Sequence, residues 1–147
     1  MIDKKLIGHV FAPVELPVEE GRLKFVAKAL GQTDPVYTDR QAAQAAGYPN
    51  LPAPPTFPFM LEADALDLMG FCEFLGQDLG RLLHAEQSYT YHQPICAGDR
   101  ITFVKTIREI FDKKNGALEF VISDNTLTNQ DGVLCAESRT NYVFRNA

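Results

Sequence analysis

The second half of the chain consists of apolar, β-branched segments separated by short turns, and this pattern limits the fold more than any other feature. The turns "DKKNG" and "NQDG" contain Asn-Gly and Asp-Gly, which favour tight reversals between antiparallel strands. The sequence therefore predicts an antiparallel meander of strands over about 82–92, 100–111, 118–128 and 133–144.

The second of these strands shows the clearest alternation of apolar and polar side chains. Ile101, Phe103, Ile107 and Phe111 are expected on the buried face, and Lys105 interrupts the row. Upstream of the meander, "IGHVFAPVELPV" is β-branched but contains two prolines, which is typical of a short edge strand.

The first half, to about Gly80, is rich in Ala, Leu and Pro and predicts helices joined by loops. Gly31 is a natural stop for the first helix, and Gly47 for the second. Thr38 and Gln41 form a capping-box pattern at the start of that second helix. Helical spacing predicts that one face of the first helix is buried, through Leu23, Val26, Ala27 and Leu30.

A third, strongly apolar helix is predicted over "FPFMLEADALDLMGF", after the proline-rich loop "YPNLPAPP". Thr56 is expected to cap it. Glu62 and Asp64 are expected to be solvated or to face an interface. The buried stripe of this helix is Phe57, Leu61, Ala65, Leu68 and Met69. An apolar helix before a meander predicts an α+β fold, with the sheet wrapped around the helix. Sheet edges left open favour an oligomer.

Length and composition limit the possible functions. With 147 residues, positions 1–147 are expected to form a single domain. The net charge of −5 and a pI near 5.1 argue against a nucleic-acid partner. Three scattered cysteines lack metal-ligand spacing and indicate a reducing compartment. Because the sequence shows neither a signal peptide nor an apolar stretch long enough to span a membrane, a cytoplasmic protein with no metal and no cofactor is expected.

Three segments resemble a known family. "KALGQTDPVYTDRQAAQAAGY", "LPAPPTFPFML" and "HAEQSYTYHQPICAGDRI" are similar to the MaoC-like hydratases and dehydratases, which have the hot-dog fold. The resemblance covers nearly the whole chain and is strongest to the N-terminal or small-subunit branch, related to the dehydratase region of fatty-acid synthase. It implies interconversion of trans-2-enoyl and (R)-3-hydroxyacyl thioesters of CoA or acyl-carrier protein.

The family's catalytic signature, Gly-Asp-x-Asn-Pro-apolar-His, falls on residues 31–37 of this chain. Gln32 replaces its Asp, Asp34 its Asn and Tyr37 its His. The Asp and His of active members act as a general acid–base pair. Gln32 cannot accept a proton, and an unperturbed tyrosine phenol, with a pKa of ~10, is a poor base at pH 7. The resemblance therefore implies a degenerate catalytic pair.

A second part of the family's site also differs. Active members have a Gly before the buried helix, and its backbone N–H binds the thioester oxygen as an oxyanion hole. Pro55 occupies that position and has no N–H. Thr56 offers the first N–H, one residue later. The resemblance implies that Pro55, Thr56, Phe57 and Leu61 contribute to substrate binding.

Other side chains are weaker candidates for the missing pair. His84 and Glu86 are two residues apart on a predicted strand, so they are expected on one face with Ser88. His84 could act as a surrogate acid or base, although a role in structure is the simpler interpretation. The same holds for His92, expected to shape a turn, and for Asp34, which an Asx-Pro turn explains.

Four functions remain open from the sequence. The first is the acyl-chain-binding subunit of a heteromeric hydratase or dehydratase, with the Asp and His supplied by a second hot-dog chain. The alternatives are a self-sufficient hydratase with an altered pair, a non-catalytic acyl-CoA-binding homodimer, and a hot-dog thioesterase that uses a helix carboxylate such as Glu62 or Asp64.

Overall fold

The computed structural model describes residues 1–146, in which one antiparallel sheet packs against a short helix. The strands lie in the order β1-β3-β4-β5-β2, so that β1 and β2 form the two edges. The elements follow one another as β1 (Val14–Pro17), α1 (Glu20–Ala29), α2 (Arg40–Ala45), α3 (Phe57–Ala65), α4 (Leu68–Phe74), β2 (Leu82–Tyr91), β3 (Arg100–Lys113), β4 (Leu118–Thr128) and β5 (Leu134–Arg145).

The predicted α+β fold and meander are confirmed, and each of its strands ends within two residues of the predicted bounds. The turn after β3 places Asn115 and Gly116 at positive φ, as its sequence indicates. Gly132 has a φ of 76° in the turn before β5. The predicted edge strand is β1, which pairs only with β3.

A β-bulge changes which residues of β3 face the core. The pairing of β3 with β4 shifts between Ile107 and Glu109, so the inward row continues at Ile110. Ile110 is buried, whereas Phe111, predicted to be buried, is only half-buried. Lys105 does not interrupt the inward row. It lies within that row and is 2% exposed.

The first two helices start and end close to the predicted positions. Leu23, Val26 and Ala27 are buried as expected. The prediction for Leu30 was wrong, because α1 ends at Ala29 and the Leu30 side chain is 49% exposed. At α2, Asp39 rather than Thr38 is the N-cap.

The long apolar helix predicted after the proline-rich loop is in fact two helices. Leu66 is extended (φ −96°, ψ 111°), and Asp67 then caps α4 by accepting a hydrogen bond from the Gly70 N–H. Because of this break, Leu68 and Met69 are exposed rather than part of one buried stripe. Thr56 has a φ of 72° and makes no side-chain cap, contrary to the prediction.

The core has two parts. Phe57 and Leu61 of α3 pack with Leu23, Ile101 and Leu127 in the larger part. The smaller part lies under α4, around Phe71 and Phe144. Burial of each large side chain contributes about 1.5–3 kcal/mol, so α3 is held chiefly by this packing. Across residues 1–146, the helices are all too short or too polar to cross a membrane.

Candidate functional site

The loop that resembles the catalytic signature is folded as a turn. Gly31 has a φ of 69°, and the Gln32 N–H donates to the carbonyl of Ala27 at 2.9 Å. Asp34 accepts a hydrogen bond from the Val36 N–H at 3.0 Å, which is the Asx-Pro turn that its sequence allows. Residues 31–37 therefore form an ordered turn in this chain.

The side chains on this loop are accessible but do not form an acid–base pair. Gln32 and Asp34 are exposed, and Tyr37 is half-buried in a single 3-10 turn. An amide neither gains nor loses a proton near neutral pH, and a phenol does so only under strong perturbation. The Asp34 carboxylate accepts a hydrogen bond from the Val36 N–H, and this contact belongs to the turn.

The start of α3, where an oxyanion hole is expected, has its first donor already occupied. Pro55 has no N–H. The Thr56 N–H donates to the Tyr91 hydroxyl at 3.1 Å. Tyr91 is the last residue of the edge strand β2. Its hydroxyl therefore accepts the hydrogen bond from the first N–H available at the start of α3.

The next donors of this helix are also absent or engaged. The Phe57 N–H donates to the Pro54 carbonyl at 3.1 Å, and Pro58 has no N–H. The Phe59 N–H donates to the Thr56 carbonyl at 3.0 Å. Over positions 55–59, the helix start therefore presents no free N–H to a thioester oxygen.

The residues expected to bind substrate divide into two groups. Pro55 and Thr56 are exposed at the start of α3. Phe57 and Leu61 are 0% exposed and belong to the packed core. Contact of these two side chains with an acyl chain stays a prediction that would require the core to open.

A buried ion pair lies beneath α3. The Glu62 carboxylate accepts a hydrogen bond from the Lys105 ammonium at 2.7 Å, and both side chains are 2% exposed. The prediction that Glu62 is solvated or faces an interface was wrong, because the break after α3 and the inward row of β3 bring the two charges together. A lysine within an apolar strand row was the sequence signal for this pair.

Hydroxyl groups from the sheet complete the environment of the pair. The Tyr142 hydroxyl donates to Glu62 Oε1 at 2.8 Å, and the Thr140 hydroxyl lies 3.0 Å from both carboxylate oxygens. Lys105 also donates to the Ser123 hydroxyl at 3.1 Å. Each charge therefore has several polar partners, as a buried ion pair requires.

Amide groups contact the far side of the carboxylate. The Gln87 side chain donates to Glu62 Oε2 at 3.2 Å, and the Asn125 side chain donates to the same oxygen at 3.3 Å. Asn125 also donates to the Ser138 hydroxyl at 2.9 Å. We call Glu62, Lys105 and these hydroxyl and amide partners the buried polar network.

The surroundings of the network shift the pKa values of its titratable groups, and burial lowers the pKa of Lys105. Burial by itself would raise the pKa of Glu62, but the charge and hydrogen bond of Lys105, with Tyr142 and Thr140, bring it below the ordinary value of 4.5. Burial and the negative charge of Glu62 raise the pKa of Tyr142 far above its ordinary value. Glu62 is therefore a paired carboxylate rather than a free base.

His84 and Glu86 do not share a face. A bulge in β2 lies between them, so His84 pairs with Tyr142 and Glu86 pairs with Asn141. The Asn141 amide donates to Glu86 on the outer face at 2.7 Å. The predicted His–Glu row was therefore wrong, since the bulge reverses the alternation.

His84 lies on the inner side of the sheet edge, next to α3. Its ring stacks on Phe59 with centroids 5.2 Å apart, and its Nε2 is 2.9 Å from the Gln87 side-chain oxygen. Because Gln87 also donates to Glu62, His84 is connected to the buried polar network through one amide.

The remaining candidates have structural partners. The backbone N–H of His92 donates to the Cys135 carbonyl, in agreement with a role in the turn. The ring Nε2 of His92 lies 2.8 Å from the Glu137 carboxylate. Asp64 is partly exposed and forms an ion pair with Arg22, in agreement with a solvated carboxylate.

Two mostly apolar cavities flank the buried polar network. One has a volume of about 170 Å³ and lies between α3, α4 and β2, with Glu62, His84 and Tyr142 in its wall. The other has a volume of about 370 Å³ and lies between α4, β1 and β3, with Lys105 in its wall. Apolar cavities with a few polar groups are typical of small-molecule sites.

Comparison with known proteins places the chain in a family. The family model described as the FAS1-like dehydratase domain region matches residues 5–138. A UPF0336 protein of Streptomyces coelicolor is 40% identical over 111 residues, which cover 74% of this chain and 73% of that protein. A UPF0336 protein of Saccharopolyspora erythraea is 33% identical over 146 residues, which cover 98% and 92%.

Solved structures agree with this placement. The chain is similar to one from the HadBC (3R)-hydroxyacyl-ACP dehydratase complex of Mycobacterium tuberculosis, with 28% identity, a TM-score of 0.80, and coverage of 94% of this chain and 96% of that one. A MaoC-like dehydratase superposes with a TM-score of 0.84 at 24% identity and shares the fold. This chain covers 42% of its length.

The chain belongs to the FAS1-like dehydratase-region family, whose solved relatives are MaoC-like hot-dog dehydratases. The hot-dog fold and the family that the sequence indicates are both confirmed.

Proposed function

We propose that this chain is the acyl-chain-binding subunit of a heteromeric hydro-lyase that interconverts trans-2-enoyl and (R)-3-hydroxyacyl thioesters. A second hot-dog chain supplies the catalytic Asp and His. The thioester is carried by CoA or acyl-carrier protein, and the complex works in the cytoplasm. All three cysteines are free rather than paired in disulfides, which supports a reducing compartment.

The observation that carries the proposal is the occupied start of α3. An acyl-thioester hydratase needs a donor for the thioester oxygen and a proton-transfer pair. Here the N–H of Thr56 is bonded to Tyr91, and Gln32 and Tyr37 replace the pair. Both parts of the chemistry are altered while the loop and helix that carry them are retained.

Heteromeric relatives support the second half of the proposal. The HadBC structure and the ChsH1–ChsH2 structure, both from Mycobacterium tuberculosis, are complexes of two named components. In this chain β2 is an open edge with exposed Leu83 and Tyr91, which gives a partner strand a surface to pair with.

In such a subunit the named residues have structural and binding roles. Pro55 and Thr56 shape the entrance used by the thioester, and Phe57 and Leu61 hold α3 in place beside the acyl chain. Gln32, Asp34 and Tyr37 keep the loop in the shape that the partner contacts. None of these roles requires a proton transfer by this chain.

The test is to assay the chain alone and after co-expression with a MaoC-like subunit that carries the Asp and His. Hydration is followed by loss of the enoyl-thioester absorbance with crotonyl-CoA and octenoyl-CoA. We expect no turnover by the isolated chain and a stable one-to-one complex that turns over. Turnover by the isolated chain would overturn the subunit proposal, and release of free thiol would identify a thioesterase.

A matched pair of variants makes this test sharper. Tyr37→Phe removes the only titratable group at the position of the family's His, and we expect it to leave the activity of the complex unchanged. Asp34→Asn removes the carboxylate but keeps the Asx turn. Loss of activity in either variant without loss of complex formation would assign chemistry to this chain.

A second candidate function is a self-sufficient hydratase that uses His84. His84 lines the 170 Å³ cavity together with Glu62 and Tyr142. For this candidate, the isolated chain must turn over enoyl-CoA, and His84→Ala must abolish that activity. His92→Ala is the control, because His92 contacts Glu137 outside the cavity.

A further inference from the structure

The two apolar cavities are separated by a wall that contains charges. Leu66 lines both cavities. Glu62 and Tyr142 line the smaller one, and Lys105 lines the larger one. Since Lys105 contacts Glu62 at 2.7 Å and Tyr142 at 3.1 Å, the ion pair and Leu66 together form the wall between the cavities.

The smaller cavity is the one next to the edge where a partner strand would pair. It lies against β2, one of the two edge strands of the sheet. Its rim includes Phe59 and Leu68, which are each 38% exposed. Its volume of about 170 Å³ is below the range of about 300–1,000 Å³ that is typical of drug-sized ligands. The two cavities joined together would fall within that range.

A methylene chain cannot pass this wall at low cost. An alkyl group that displaces the Glu62–Lys105 contact would have to separate two charges that are 2% exposed, and each unpaired charge would be strongly destabilised. An alkyl group that bypasses the ion pair meets the Leu66 side chain. Burial of an acyl chain is therefore favourable up to the wall, and further extension meets an energetic barrier there.

We propose that the Glu62–Lys105 ion pair and Leu66 are specificity-determining residues that restrict the acyl group to short chains. The smaller cavity holds the acyl chain, and the larger cavity behind the wall stays unused by it. This inference rests on the proposed function, because it needs this chain to bind the acyl group, and it places that group in the cavity beside β2. It adds the substrate class, which is thioesters of short-chain acids.

The barrier at the wall can be lowered by two independent sets of substitutions. Leu66→Ala removes the apolar part of the wall and keeps the ion pair. The double variant Glu62→Leu/Lys105→Met keeps the bulk of the side chains and removes both charges together, so that neither is left unpaired. Met69→Ala is the matched control, since Met69 is 62% exposed on α4 and is not among the residues that line either cavity.

The experiment is titration calorimetry of the full chain and its variants with butyryl-, hexanoyl-, dodecanoyl- and palmitoyl-CoA. Circular dichroism first shows that each variant is folded. For the unmodified chain we expect affinity to rise from butyryl to hexanoyl and then to stop rising. Because each added buried methylene normally strengthens binding severalfold, we expect Leu66→Ala to bind dodecanoyl-CoA tighter by on the order of tenfold to a hundredfold. The double variant removes the charges but keeps the bulk of the wall, so we expect it to gain affinity for dodecanoyl-CoA by a smaller factor. Met69→Ala is expected to show no gain.

The outcomes distinguish this inference from the proposed function. If the unmodified chain binds dodecanoyl-CoA tighter than hexanoyl-CoA by that factor, or if neither wall variant gains affinity for long chains, the wall does not set chain length while acyl binding stands. If no acyl-CoA of any length binds to the chain or its variants, both the inference and acyl binding by this chain are wrong.

Discussion

The buried Glu62–Lys105 ion pair allows a quantitative prediction about folding. Lys105→Met leaves the Glu62 carboxylate buried with hydrogen bonds from Tyr142 and Thr140 but without its counter-charge. Glu62→Leu leaves the ammonium with two hydroxyl partners, on Ser123 and Tyr142. Removing one partner of a buried pair costs about 3–5 kcal/mol, so each single variant should lose that much of the free energy of unfolding.

The double variant Glu62→Leu/Lys105→Met should lose less than the two singles combined. No buried charge remains unpaired in it. The remaining cost comes from the hydroxyl and amide groups that lose Glu62 as an acceptor, and a poorly satisfied buried group costs about 1–3 kcal/mol. We expect a loss of roughly 2–4 kcal/mol, against about 6–10 kcal/mol for the sum of the singles.

The assay is urea unfolding followed by far-ultraviolet circular dichroism, with the m-value checked for constancy across the variants. Arg139→Met is the control, because its ion pair with Asp124 is half-exposed and should be worth no more than about 1 kcal/mol. A double variant that loses as much as the sum of the singles would refute the reasoning, since the two side chains would then act independently.

The remaining predictions concern pH, the helix entrance and the degenerate loop. Because the pKa of Glu62 lies below its ordinary value of 4.5, the stability supplied by its charged form is complete above pH 4.5 and is lost as the pH falls further. The urea midpoint should therefore decline more steeply on acidification than in Glu62→Leu/Lys105→Met, and equal slopes would contradict this. Tyr91→Phe removes the acceptor of the Thr56 N–H, so amide hydrogen exchange at Thr56 measured by NMR should accelerate while the fold is kept. An unchanged exchange rate would show that this bond does not protect the amide. Gln32→Asp/Tyr37→His should give the isolated chain little hydratase activity, and adding Pro55→Gly, which restores an N–H, should raise the rate by about 10²–10³-fold. Equal rates with and without Pro55→Gly would show that this position supplies no donor.

Much of the fold followed from local patterns. The strands β2 to β5 are bounded by glycine-containing or proline-containing turns, and their positions depend on local backbone preferences that a sequence displays directly. The end of α3 at Ala65 was not predicted, because the helix propensities of Leu66 and Asp67 would allow a helix to continue through them. Asp67 instead caps the next helix through the Gly70 N–H.

Bulges explain the main errors about the site. A bulge adds one residue to a strand and reverses the faces beyond it, and nothing in the side chains of His84, Glu86 or Ile107 signals one. The long-range pairing of Glu62 with Lys105 was missed for a related reason. Glu62 and Lys105 are separated along the chain by the helix α4 and the strand β2, and they meet only once the register of the sheet is known.

The degenerate loop was read correctly as a turn, because a glycine at positive φ and an Asx-Pro pair specify local geometry. The occupied helix entrance could be only partly foreseen. The missing N–H of Pro55 is visible in the sequence, whereas the hydrogen bond from Thr56 to Tyr91 joins residues that lie far apart along the chain.

The most direct test of the central claim is to titrate a MaoC-like subunit that carries the Asp and His with this chain and to measure hydration of crotonyl-CoA. We predict that activity rises to a plateau at one-to-one stoichiometry, that mutation of the partner's His to Ala abolishes it, and that Tyr37→Phe in this chain leaves it unchanged. Activity that persists without the partner's His, or that is lost in Tyr37→Phe, would contradict the account.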